Sequence, residues 1–290
     1  MKQGNSDYGS VVENITFDEE RALYGRENLL VKNVRFDGPA DGESALKECK
    51  NITVEGCFCN LRYPFWHVHG LKIYNTETTV MCRAALWYTD GLVIENCKWH
   101  GPKAVRECAD VYIKNCDVNS IEFGWFTDKI TIEDCTVYSE YFLLHATDVT
   151  MKNVLFNGKY PLQYVVNGTL EGCTIDTKDA LWHGKNITLK NCVVKSEYLA
   201  WYSEGLTFID CTIIGAQPFC YCKNLTLVNC KMQGCNLSFE KSTVNATIVG
   251  DIDGIKNPYE GTIEVGSVRE IVRDDPKSTG KIIVNGVLCR

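Results

Sequence analysis

Residues able to do chemistry gather between positions 62 and 125 of this 290-residue chain. Glu107 is the candidate general acid or base, with Glu122 as its partner, while Arg83 and Arg106 could neutralise an acidic substrate. An elimination would instead need His67 or Arg106 as the base that abstracts a proton beside a carboxylate. Arg62, Trp66, Trp87, Tyr88, Lys103 and Trp125 complete the patch as substrate contacts. Flat aromatic faces stack on the apolar faces of sugar rings, and flanking basic heads bind hydroxyls or a uronate. These types together point to a groove that binds or cleaves an oligosaccharide. The spacing implies no cofactor and no metal: His145 and His183 fall in non-adjacent repeats, and His69 and His100 have no partner pattern.

The candidates stand at fixed distances from a short phrase that returns along the chain, clearest as NITLKNC from Asn186 to Cys192. Its last residue, the pivot, recurs at Val34, Cys57, Thr76, Cys97, Cys116, Cys135, Val154, Cys173, Cys192, Cys211 and Cys230. The steps are 19 residues, except 23 at the first and 21 between Thr76 and Cys97, a period that signals a solenoid of stacked coils. Ten before the pivot comes a row holding five of the six Trp, among them Trp66, Trp87 and Trp125. Nine before it stand His67, Tyr88 and Glu107, and thirteen to fourteen before it a charged row includes Arg62, Arg83, Lys103 and Glu122. Neighbouring coils lie ~4.8 Å apart, so equal positions form ladders.

Within the phrase, apolar Ile187 and Leu189 alternate with polar Thr188 and Lys190, which is strand periodicity. Asn or Asp precedes most pivots, with Gly at Gly56 and Gly172; these types tolerate a left-handed backbone, so each coil should turn a corner there. The pivot then points inward and opens a second strand. A third strand is expected before the phrase, in AALWY (84–88), DALWH (179–183) and EYLAWY (197–202). Three short strands per coil with no room for a helix describe an all-β parallel β-helix of about eleven coils. The expected layout is one domain: coils over 1–235 with 1–13 as a lead-in, and a capping segment over 236–290. Alternation turns the Trp row outward and the His/Tyr row back in; because buried Glu and His are costly unless paired, a terminal bend is expected that leaves the Trp and charged rows exposed and the His/Tyr row near an edge.

Composition narrows the partners. A formal charge of −7 and pI near 5.4 argue against nucleic acid and anionic membranes, which need basic patches. No stretch approaches a membrane span, and the first ten residues lack a signal-peptide core, so a cytoplasmic location is expected. The 16 Cys form a one-per-coil row without Cys-x-x-Cys pairs, which reads as reduced, inward core residues.

The phrases SALKEC, RYPFWH, RAALWY, KAVREC, GKYPLQY, TKDALWH and QPFCYC, followed by NPYEGTIEVGSVREIV, resemble a bacterial family labelled domain of unknown function 3737. That resemblance covers nearly the whole chain and implies a right-handed, single-stranded parallel β-helix similar to pectate lyases. The wider lyase-like group uses acidic calcium ligands and an Arg or Lys base; this sequence has no tight Asp cluster and no run of paired Asp, so the resemblance speaks to fold more than to activity.

A structural reading stands beside the chemical one. Stacked like residues hold a β-helix together, so Trp66 with Trp87 and Trp182 with Trp201 would serve equally as structural ladders. Glu48 beside His67 and Arg106 beside Glu107 would form ion pairs that satisfy each other. The alternative function is then a non-catalytic binding or scaffold protein, or a homo-oligomer, that offers one ladder face to a partner.

Overall fold

The computed structural model describes residues 9–38 and 43–289. Most of the expected lead-in and the tip of the 37–43 loop lie outside the described residues. The chain is an all-β parallel solenoid, and its contacts divide it into two compact units, Met1–Ser139 and Glu140–Arg290.

In the first unit the repeat phrase builds seven parallel strands, Ser10–Glu13, Glu27–Lys32, Lys50–Glu55, His69–Tyr74, Asp90–Glu95, Ala109–Lys114 and Asp128–Glu133. Each pairs in register with the next, so Leu29, Ile52 and Leu71 stack in one file and Val31, Val54 and Ile73 in another. Both files are fully buried, which follows directly from alternation. Short strands after the pivot, such as Lys98–His100 and Asp117–Asn119, form the second wall.

The second unit repeats the design in Thr147–Lys152, Val166–Glu171, Lys185–Lys190, Thr207–Ile209 and Leu225–Gln233. Parallel pairing then continues through Thr243–Lys256, Glu260–Val272 and Lys281–Val284, and the antiparallel strand Val287–Cys289 closes it. The stack is thus longer than the eleven coils counted from the phrase. The uncounted strands are Ser10–Glu13 and the three beyond Asn236, where a pivot Cys is lacking.

Corners come from left-handed residues. Those before the pivot behave as expected, with φ of 51° to 55° at Asn33, Asn96, Asn115, Asp134 and Asn191. Their side chains form a ladder: Asn115 Nδ2 donates to Asn96 Oδ1 at 2.6 Å and Asn33 Nδ2 to Asn14 Oδ1 at 3.3 Å. A second file, six before the pivot, adds Asn51 Nδ2 to Asn28 Oδ1 at 2.6 Å. Where Gly56 replaces Asn, a Cβ would come within 2.7 Å of Asn33 Oδ1, so the Asn33 side chain would have to shift to admit one.

The expected third strand is mostly a turn. Asp179, Leu181 and His183 all have positive φ, as do Tyr198, Ala200 and Tyr202, and a chain that alternates hands every second residue cannot extend. Among the described residues only Leu86–Trp87 and Val105–Arg106 pair as short strands there.

The cysteines do more than fill space. All the described Cys are free, and all but the half-buried Cys289 are buried. Cys116 Sγ accepts the Cys97 backbone N–H at 3.4 Å and donates to Lys114 O at 3.1 Å. Thr76, a pivot without sulfur, does the same with Oγ1, which accepts from Cys57 N at 3.2 Å and donates to Tyr74 O at 2.9 Å.

Candidate functional site on an aromatic and charged ladder face

All the candidate site residues lie in the first unit, on the turn that replaces the third strand. The residue eleven before the pivot, such as Phe65, Leu86 or Val105, is buried, and so is the residue eight before it, such as Val68, Thr89 or Cys108. Both residues between must therefore face outward. The left-handed backbone at His67, Tyr88, Glu107 and Phe126, φ 50° to 57°, makes this possible by breaking the alternation. Hence the Trp row is half-buried and the His/Tyr row beside it is the exposed one.

In the Trp row, cations and indoles interleave. Lys47 Nζ lies 4.4 Å from the Trp66 ring centroid, and Arg106 Cζ lies 5.0 Å from Trp87 and 5.6 Å from Trp125. Trp87 Nε1 donates to Lys103 O at 2.6 Å, sixteen residues on, as Trp182 does to Tyr198 O in the second unit. Trp66 Nε1 is buried with no hydrogen-bond partner. Its coil is followed by the 21-residue step, so the position sixteen residues on, Cys82, falls two short of the acceptor register.

The rings here cross rather than stack. Trp66 and Trp87 meet at 61° with centroids 6.4 Å apart, His67 and Tyr88 at 90° and 5.1 Å, and Trp87 and Tyr88 at 88°. The second unit does the opposite. His145, Tyr164, His183, Tyr202 and Tyr221 form one stack with centroids 4.6 to 5.3 Å apart and planes within 17°. Each inner ring of that stack spends both faces on its neighbours.

Both candidate carboxylates are held by cations. Arg106 Nε lies 3.3 Å from Glu107 Oε1, and Lys103 Nζ lies 3.0 Å from Glu122 Oε2. His67 Nδ1 sits 3.2 Å from Glu48 Oε1, and Arg62 Nη2 sits 3.4 Å from Glu43 Oε2. Arg83 differs: it is exposed, and among the described residues no carboxylate lies within ion-pair distance of it. Among the described residues no group of three His, Cys, Asp or Glu could hold a metal ion. His69 and His100, for which the sequence offered no partner pattern, pair with Asp90 at 2.8 Å and Asp117 at 3.2 Å.

A recess of about 510 Å³ lies along the asparagine corner, lined by Asn33, Arg35, Phe58, Asn75, Glu77 and Lys98 among others. None of its lining residues belongs to the aromatic patch. Sequence reasoning assigned these Asn a structural role alone, and only their repetition on one corner signalled the recess.

The profile of the family described as Protein of unknown function (DUF3737) matches residues 10–284. The chain belongs to that family. No curated protein matches this DUF3737 chain. Among solved structures it is similar to the Agl-KA catalytic domain, at 12% identity and TM-score 0.46, covering 83% of this chain and 62% of that one. It is similar also to PfbA, a surface adhesin of Streptococcus pneumoniae, at 10% identity and TM-score 0.36, covering 95% and 84%. A mutant tailspike of E. coli bacteriophage HK620 in complex with pentasaccharide gives 9% identity and TM-score 0.40, covering 95% and 72%. The DUF3737 chain thus spans under two thirds of the length of the first of these. Among the described residues no helix is long and apolar enough to cross a membrane.

Proposed function

We propose that the first unit binds an acidic oligosaccharide on the face built from Trp66, Trp87, Tyr88 and Arg83. The observation that carries this reading is the crossing of the rings. Steeply tilted rings cannot use both faces on one another, as a flat stack does, so ring surface remains for the apolar face of a sugar beside that covered by Lys47 and Arg106. Tyr88 is 36% exposed, and Arg83 supplies a cation free to pair with a uronate. Binding fits better than cleavage, because Glu107 and Glu122 are each committed to a cation. If cleavage occurs, it requires the substrate carboxylate to draw Arg106 away from Glu107, which frees the glutamate to reach the substrate.

The test is a screen of neutral and uronic oligosaccharides by Trp fluorescence and melting temperature. Uronic ligands should bind, Trp87→Ala and Arg83→Ala should each weaken them about tenfold or more, and any product formation should vanish in Glu107→Gln. A folded protein that answers to no sugar would refute the reading.

The ring stack of the second unit favours a different use. It presents the edges of Tyr164, 41% exposed, and Tyr202, 48% exposed, as a straight apolar stripe suited to protein association. Light scattering over a concentration series, repeated with Tyr202→Lys, separates that use from sugar binding.

A further inference from the structure

Thirteen residues before the pivot, successive coils of the second unit carry Tyr141, Tyr160, Asp179, Tyr198 and Gln217, all with left-handed backbone. The Tyr141 and Tyr160 rings lie 4.9 Å apart, whereas Tyr198 turns to Trp201, 5.1 Å away at 66°. Asp179 interrupts this file of rings with a much shorter side chain. It leaves a notch between Tyr160 and Tyr198, whose coils are two spacings, ~9.6 Å, apart.

The floor of the notch is an unmet charge. Asp179 is only 9% exposed, and its Oδ1 is buried with no hydrogen-bond partner. Gln163 Nε2 is close but donates to the Asp179 backbone carbonyl at 3.2 Å. Lys178 Nζ sits 4.0 Å from Glu197. Left-handed φ, 55° here, suits an Asp, but Tyr manages it in the neighbouring coils, so the backbone does not call for a carboxylate. Burial also raises this carboxyl above its ordinary range, and the nearby Lys178 charge only partly offsets it.

We propose that this notch binds a small molecule carrying a primary ammonium group, with Asp179 as counter-charge and Tyr160 and Tyr198 as flanking rings. An ammonium supplies the donors that Oδ1 lacks and gains from adjacent ring faces. An anion would be repelled by Asp179 and Glu197, and a neutral hydroxyl would meet only part of the charge. The net charge of −7 favours approach of a cation. The proposal does not rest on the oligosaccharide reading, whose residues all belong to the first unit.

The test titrates the full chain with glucosamine by calorimetry, at a pH that keeps the amine protonated and the carboxylate ionised. Glucose and N-acetylglucosamine serve as controls that keep the ring and lack the charge. Glucosamine should bind, the controls should not, and Asp179→Asn, which keeps size and left-handed tolerance, should weaken binding at least ~10-fold. A melting temperature for Asp179→Asn at or above that of the native chain shows that the variant is folded. Equal binding of the three sugars, binding that survives in Asp179→Asn, or no binding of glucosamine would overturn the proposal. Lys178→Met completes the set: binding that appears only in that variant would mean that the lysine itself fills the notch, and would overturn it too.

Discussion

The pivot cysteines offer a test of whether a thiol ladder is packing or hydrogen bonding. Cys116 is 4% exposed, accepts the Cys97 N–H at 3.4 Å and donates to Lys114 O at 3.1 Å. Three replacements separate the contributions. Cys116→Thr keeps an acceptor and a donor in the arrangement that Thr76 already shows, so it should cost under ~1 kcal/mol. Cys116→Val fills the space as Val34 and Val154 do, yet it orphans the buried Cys97 N–H, while Lys114 O keeps the Asn96 N–H at 3.1 Å. That loss runs to ~1–3 kcal/mol; because sulfur is a weak acceptor, and a buried methyl returns up to ~1 kcal/mol, the net cost should be ~1–2 kcal/mol. Cys116→Ala loses both packing and hydrogen bonds and should cost ~2–4 kcal/mol. Urea unfolding at constant m-value reads the order directly as a shift in midpoint. Thr should come first, Val second and Ala last. A Val variant as stable as the Thr variant would refute the hydrogen-bonding role and leave only packing.

Two further outcomes follow from the same architecture. Burial pushes the Cys82, Cys108 and Cys222 thiols up to about 11 from the ordinary 9.0, so the folded chain holds these protons longer than the unfolded one. Their stabilisation is complete below pH ~9 and declines by ~1.4 kcal/mol per pH unit per thiol until pH ~11, so urea midpoints should fall steeply from pH ~9 to ~11; a flat profile there would contradict the buried neutral row. At the corner, Asn115 has φ 52° and an amide bond to Asn96 of 2.6 Å, so Asn115→Ala should lower stability by ~2 kcal/mol. Asn115→Gly, the residue found at Gly56 and Gly172, should lower it by ~1 kcal/mol or less, and a glycine variant less stable than the alanine one would sink the left-handed account.

What was legible in the sequence was what alternation and residue type encode. Ile187 and Leu189 announced their strand, and Asn191 its corner, because Asn is common in left-handed backbone. The turn through Asp179, Leu181 and His183 was read as a strand because Leu and His carry no such signal; their conformation is imposed by the neighbouring coils. The strands Thr243–Lys256 and Glu260–Val272 were not counted as coils because the 19-residue period breaks there: Thr243 pairs with Glu260, 17 residues on. At the candidate site, ladder adjacency was legible: Glu48 with His67 and Arg106 with Glu107 are pairs in the structure. The angle between rings was not, since it depends on how neighbouring coils are offset rather than on any one residue.

That offset has a visible source. Trp182 and Trp201 stand one 19-residue coil apart and are parallel within 4°, each donating Nε1 to a carbonyl sixteen residues on. Trp66 and Trp87 straddle the 21-residue step, cross at 61°, and leave Trp66 Nε1 without an acceptor. The two surplus residues fall in the turn that holds Val80 and Met81, 72% and 44% exposed, where nothing in the core requires them. Deleting Val80 and Met81 should therefore restore the regular register, give Trp66 Nε1 its acceptor and flatten the indole pair. Near-ultraviolet circular dichroism would show the change in ring coupling. Stability should rise by ~1 kcal/mol for the recovered hydrogen bond. Uronic oligosaccharide binding should fall, because flat indoles would turn their faces to each other. A deletion variant that flattens the rings yet binds as well as the native chain would detach binding from ring geometry and leave Arg83 alone to explain it.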